Sequence, residues 1–186
     1  MGIIIAFVIL GVIIVGIVSG GVAIYNRLVM LKYNVDKNFA NIDVILKQRV
    51  DEIPNLIAVV KKTQGYEESL LNQLTELRTA FLSSRSTDEK VQLANKVGKL
   101  LNSFFAVSEN YPELKAVESF RTLQLRVSDL EDMLSDRREL YNESVNMYNI
   151  GIHEMPALLF ARPMGYTDKP LLHISEEEKK YDGIRF

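Results

Sequence analysis

Residues Ile3–Ile24 read IIIAFVILGVIIVGIVSGGVAI, 22 consecutive residues without a charge. A helix rises about 1.5 Å per residue, so the run covers roughly 33 Å, enough for a bilayer core of about 30 Å. Every charged residue of the chain follows it. The run reads as a membrane anchor and places the function at a membrane surface. It is longer than a signal-peptide core and no Lys or Arg precedes it, which favours a retained anchor over cleavage near Val18-Ser19-Gly20. Met1-Gly2 is not a myristoylation signal, because Ala6 stands where Ser or Thr is needed.

The flanks set an expected orientation. Two residues without a basic side chain precede the run, whereas Arg27, Lys32 and Lys37 follow it, with Asp36 among them. The positive-inside rule then puts the N-terminus outside and the rest of the chain in the cytoplasm.

The remaining 162 residues (186 less 24) suffice for one domain with a real core. A net charge of -2 lacks the basic excess that phosphate binding needs, so nucleic acid is not an expected partner. The chain has no Cys, which excludes disulfides, thiolate metal sites and a cysteine nucleophile. Its two His, His153 and His173, lack ligand spacing, and no Glu-x-x-His pair occurs. No phosphate loop or activated nucleophile is present, so neither a metal, a cofactor nor a catalytic residue is expected.

Beyond the anchor, Leu28, Leu31, Val35, Phe39, Ile42, Leu46, Ile53, Leu56 and Val60 recur in helical steps. The anchor is expected to run straight into this helix. Pro54 should kink it without ending it, and Gly65 is the expected break. A second helix fits 66–82. A third opens at Ser86, which stands at capping-box spacing from Glu89, and runs to about Glu109. Asn110-Tyr111-Pro112 is a turn, and a fourth helix is expected from Pro112 until Pro156 stops it.

These lengths predict an all-α fold: an N-terminal transmembrane helix followed by an up-and-down antiparallel four-helix bundle with long first and last helices. The expected divisions are an anchor at 1–24, a bundle at 25–156 and an irregular tail at 157–186. A helix continuous through Gly65, giving a three-helix bundle, is the alternative. The tail begins apolar at Ala157, Leu158, Leu159 and Phe160 and ends in a charge run from Glu176 to Lys180. Either it meets the bilayer or another subunit, with Arg27 and Lys32 beside it at the membrane, or it covers a seam of the bundle.

Several short motifs then occur in order. Tyr25-Asn26-x-Leu28 follows the anchor. Ile42-Asp43-x-x-Leu46-Lys47-x-Arg49 precedes Ile53-Pro54-Asn55-Leu56. Tyr111-Pro112-x-Leu114-Lys115-Ala116 opens the last helix, which carries Arg138-x-x-Tyr141-Asn142 and Tyr148-Asn149 before Pro156. Over nearly its whole length the chain resembles the LemA family. The resemblance implies a helical bundle on a single-pass bacterial membrane protein, without catalytic activity. It also implies a setting among envelope stress, membrane proteases and membrane remodelling. Met155 stands where the family usually has an aromatic, and Phe39 where it often has Trp; both keep apolar bulk.

Two groups of residues are candidates for function. Asp43, Lys47, Arg49, Asn55, Arg138, Tyr141 and Asn142 are expected to form an interhelical polar network that fixes register, with Asp43 and Lys47 spaced as an intrahelical ion pair. A ligand site is the sharper alternative. Gly16 and Gly20 have the spacing that lets two anchors approach closely in lipid, so a homo-oligomer is expected. The leading functional expectation is a non-enzymatic scaffold that self-associates and organises or shapes the bilayer. The alternative is an adaptor presenting a groove to another envelope protein, such as a protease.

Overall fold

The structure, a computed structural model, describes residues 1–61 and 68–172. The expected break at Gly65, together with His173 and the charge run of the tail, lies outside the described residues. The fold is all-α, and among the described residues there is no strand. Its helices are α1 (Gly2–Asp51), α2 (Ile53–Val60), α3 (Glu68–Ser83), α4 (Thr87–Ser108), α5 (Pro112–Lys115), α6 (Glu118–His153) and α7 (Leu158–Ala161). The anchor and the first amphipathic stripe form one helix, because no Gly or Pro signal separates Ile24 from Tyr25.

Pro54 acts as its chemistry requires. Lacking an N–H, it cannot bond back along the helix, and the chain is interrupted at the single residue Glu52. The Leu56 amide still reaches the Glu52 carbonyl at 3.0 Å, so the helical course resumes at once.

Two local expectations are corrected. The last long helix does not start at Pro112, for α5 stops at Lys115 and α6 opens at Glu118. Leu114 and Phe120 are both fully buried. In one continuous helix, side chains six positions apart would point about 120° away from each other. The interruption at Ala116-Val117 lets both enter the core. Ser86 does take the N-cap position of α4, but its side chain makes no cap bond, and Glu89 instead accepts the Ser84 hydroxyl at 2.6 Å.

The chain divides into two compact units. The first comprises residues 1–40 and 138–172 of the described chain. Here α1 and α6 run side by side, burying Leu28 and Val35 against Val145, Tyr148 and Ile152. Phe39 meets Tyr141 edge-on at 5.7 Å. Gly151 lets the Leu31 side chain close onto the backbone of α6. The second unit comprises residues 41–137, of which 41–61 and 68–137 are described. The α3–α4 hairpin packs there with the end of α1, α2, α5 and the start of α6. Phe104, Phe105 and Phe120 form an aromatic cluster with centroids 5.6–6.2 Å apart.

Candidate membrane and self-association surfaces

Within the first unit, residues 1–20 are all exposed. An added Cβ at Gly16 or Gly20 would meet nothing within 4 Å, and Ser19 turns its hydroxyl back to the Gly16 carbonyl at 3.0 Å. Gly21 is different: an added Cβ there would lie 3.7 Å from the Phe160 ring. Thus α7 reaches the last turn of the apolar run. Leu158 is half-buried there, whereas Leu159 is 64% exposed and Phe160 36%. Met155 and Met164, exposed beside them, extend this apolar foot. One turn beyond, Arg27 pairs with Glu154 at 2.9 Å. The Lys32 ammonium sits 5.8 Å from the centroid of the Tyr166 ring.

Up to Leu172 the tail after α7 follows a definite path. Gly165 adopts φ +71°, and the next amide, Tyr166, bonds back to the Ala161 carbonyl at 3.1 Å. This is the left-handed ending that glycine favours after a helix. The chain then runs extended along α6. The Asn149 amide donates to the Lys169 carbonyl and accepts the Lys169 N–H, both at 2.9 Å. Asn142 does the same for Leu172, at 2.9 and 2.8 Å. Seven helical residues rise about 10.5 Å, and three extended residues span about 10 Å, so the two clamps are in step. Lys169 also pairs with Asp36 at 2.6 Å and lies 5.6 Å from the Tyr148 ring centroid, and His153 meets Asp168 at 2.9 Å. Burial first, and then the neighbouring Tyr166 phenol, push the Tyr148 hydroxyl above its ordinary pKa. The described tail thus covers a seam of its own unit, while α7 keeps an apolar face outward.

The residues expected to form one polar network are distributed over the two units. In the second, Arg49 is 3% exposed and pairs with Glu131. An added Cβ on Gly98 would collide with its guanidinium, so that glycine makes room for the buried charge. Buried Glu52 accepts Asn55 at 2.8 Å and pairs with Arg126 at 2.6 Å. The expected Asp43–Lys47 pair is replaced: Lys47 turns to Asp51 at 2.5 Å, and Asp43 faces Lys90 on α4 at 3.6 Å. An acid preceding its base favours an i, i+4 pair, but here a cation on a neighbouring helix draws the carboxylate away. In the first unit, Tyr141 meets Phe39 edge-on, Asn142 holds the tail and Arg138 is half-buried. Sequence reasoning missed Glu52, Gly98, Glu131 and Asn149. A glycine inside a 22-residue helix was the available signal for Gly98. Among the described residues, no group of three or more acidic or His side chains is arranged to hold a metal ion.

The sequence profile of the LemA family matches residues 38–186, most of the chain. The chain belongs to the LemA family. Two relatives from Paramagnetospirillum magneticum, magnetosome proteins MamQ 1 and MamQ 2, are each 23% identical over 158 residues, 71% of this chain and 58% of theirs. Magnetosome protein MamQ of Magnetospirillum gryphiswaldense is 20% identical over 175 residues, 80% of this chain and 64% of its own. The chain therefore spans about six-tenths of the length of these relatives. With one N-terminal helix apolar and long enough to cross a bilayer, this LemA-family chain is a membrane-associated helical protein.

Proposed function

We propose that this chain is a non-enzymatic, membrane-anchored scaffold whose copies associate laterally and organise or shape the bilayer. The observation that carries the reading is the bareness of the anchor. Among the described residues no other segment buries any part of residues 1–20, and the Gly16 and Gly20 backbones stand open to a second helix. In lipid, close backbone approach at small residues is what favours such pairing. The N-terminus lies outside and the soluble helices are cytoplasmic, on the strength of Arg27, Lys32 and Lys37.

The membrane surface adds a second contact. Gly21 lies three residues inside the apolar run, about 4.5 Å from its end, so Phe160 rests at the edge of the hydrocarbon. Leu158, Leu159 and Phe160 insert at that level, with Arg27 and Lys32 among the headgroups. Within the first unit a single helix occupies the bilayer, while two helices and the tail stand above it. That excess width at the surface favours bending when copies crowd. The names of the relatives refer to a cellular structure, not to a reaction.

Gly16→Leu with Gly20→Leu tests the anchor contact, because an added Cβ at either position meets nothing within 4 Å in its own copy. Reduced assembly on native gels is expected. Unchanged assembly would remove the two glycines as the contact. A chain that is monomeric in its lipid would instead favour the adaptor, and a partner would then be sought by pull-down.

A further inference from the structure

On α1, Met30, Tyr33, Lys37 and Ala40 follow one another at steps of three, four and three, and all are exposed. They occupy the side opposite Leu28, Leu31 and Val35. On α6, Leu140, Glu143, Met147 and Ile150 repeat the same steps, are likewise exposed, and lie opposite Tyr141, Val145 and Tyr148. Both stripes have the spacing of a helix–helix seam, and each lies on a helix whose other side is already packed. Among the described residues the tail leaves both stripes exposed, its contacts running through Asp36, Asn142, Asn149 and His153.

The register within one copy makes the stripes complementary. Arg27 pairs with Glu154, Leu31 abuts Gly151 and Phe39 meets Tyr141, so residue i of α1 stands level with residue about (180 − i) of α6. Copies anchored in one bilayer by the same run stand at the same height. Met30 of one copy is then level with Ile150 of its neighbour, Tyr33 with Met147, Ala40 with Leu140, and Lys37 with Glu143. Lys37 and Glu143 have no ion-pair partner among the described residues. The charge of the two helices agrees. Residues 25–40 carry Arg27, Lys32 and Lys37 against Asp36, whereas residues 138–154 carry Glu139, Glu143 and Glu154 against Arg138.

We infer that the outer face of α1 docks on the outer face of α6 in a second copy of this chain, Lys37 against Glu143. This rests on the self-association reading and names its water-exposed contact. Two different faces of one copy are used, so the contact is head-to-tail and generates rows or rings, not closed two-fold dimers. The neighbour's α6 separates adjacent α1 helices by two interhelical distances, about 16–20 Å. The glycines of the anchor therefore face a copy outside the row.

The chain has no native Cys, which makes the test clean. Full-length protein carrying Tyr33→Cys and Met147→Cys is oxidised mildly in its membrane. The two positions face away from the α1–α6 seam, so a disulfide must join copies. The expected result is a ladder of dimers, trimers and larger species from the double variant, and none from either single one. Adding Lys37→Glu should lower the yield about ten-fold, and adding Glu143→Lys to that chain should restore it. Dimers from Tyr33→Cys alone, or an oligomeric chain with no ladder, would overturn this interface and leave self-association standing. A ladder indifferent to charge reversal would overturn the register. A monomer in lipid without cross-links would remove both.

Discussion

Gly98 and Arg49 show what a single residue decides in the second unit. The guanidinium occupies the space that any side chain at 98 would fill, and Glu131 balances its charge. Gly98→Ala should therefore cost about 2–4 kcal/mol, by displacing a buried charge from its partner. Gly151→Ala should cost less than about 1.5 kcal/mol, because the added methyl meets only the flexible end of Leu31. Thermal melts of the micellar protein followed by circular dichroism check the order, and a reversed order would contradict the packing. Glu131→Ala should likewise cost about 3 kcal/mol, whereas Lys47→Ala, which breaks a pair exposed on both sides, should cost below about 0.5 kcal/mol. Much of this was half-legible in the sequence. Arg49 and Asn55 stood out as polar groups on an apolar helix, but helical spacing reveals partners along one helix only. Glu52 and Glu131 become partners through a chain interruption and a neighbouring helix, and nothing in the local pattern marks either.

At the scale of elements, the tail is held by two asparagine amides that read main chain alone. Hydrogen exchange should find the Lys169 and Leu172 amides protected, and Asn142→Ala with Asn149→Ala should return both to free exchange. Protection that survives the double change would mean that other contacts hold the segment. Tyr148 adds a pH dependence. Its folded pKa is raised, so the seam is fully stable below the ordinary tyrosine pKa of 10.0 and weakens as pH rises above it. An ultraviolet titration should show a late phenol that Tyr148→Phe removes. The helices themselves were legible, because their apolar stripes repeat over many turns. The division between α5 and α6 was not, since it follows from the need to bury both Leu114 and Phe120. The path of the tail was equally hidden: main-chain clamps have no side-chain pattern, and only the spacing of Asn142 and Asn149 hints at them.

At the scale of the whole molecule, one uncharged run of 22 residues settles more than any site, because it gives a helical protein a bilayer to work on. That run, the all-α class and the LemA membership were each readable from residue order. The lateral surfaces were not, because an outward stripe is recognised only once the inward one has been assigned and packed. On the proposed function, copies assemble side by side in the membrane. The most direct measurement is the mass and shape of the full-length chain released together with its own lipid, by light scattering and electron microscopy. Large, regular, lipid-containing particles are the predicted result. A monomer or dimer in a plain lipid disc would contradict it.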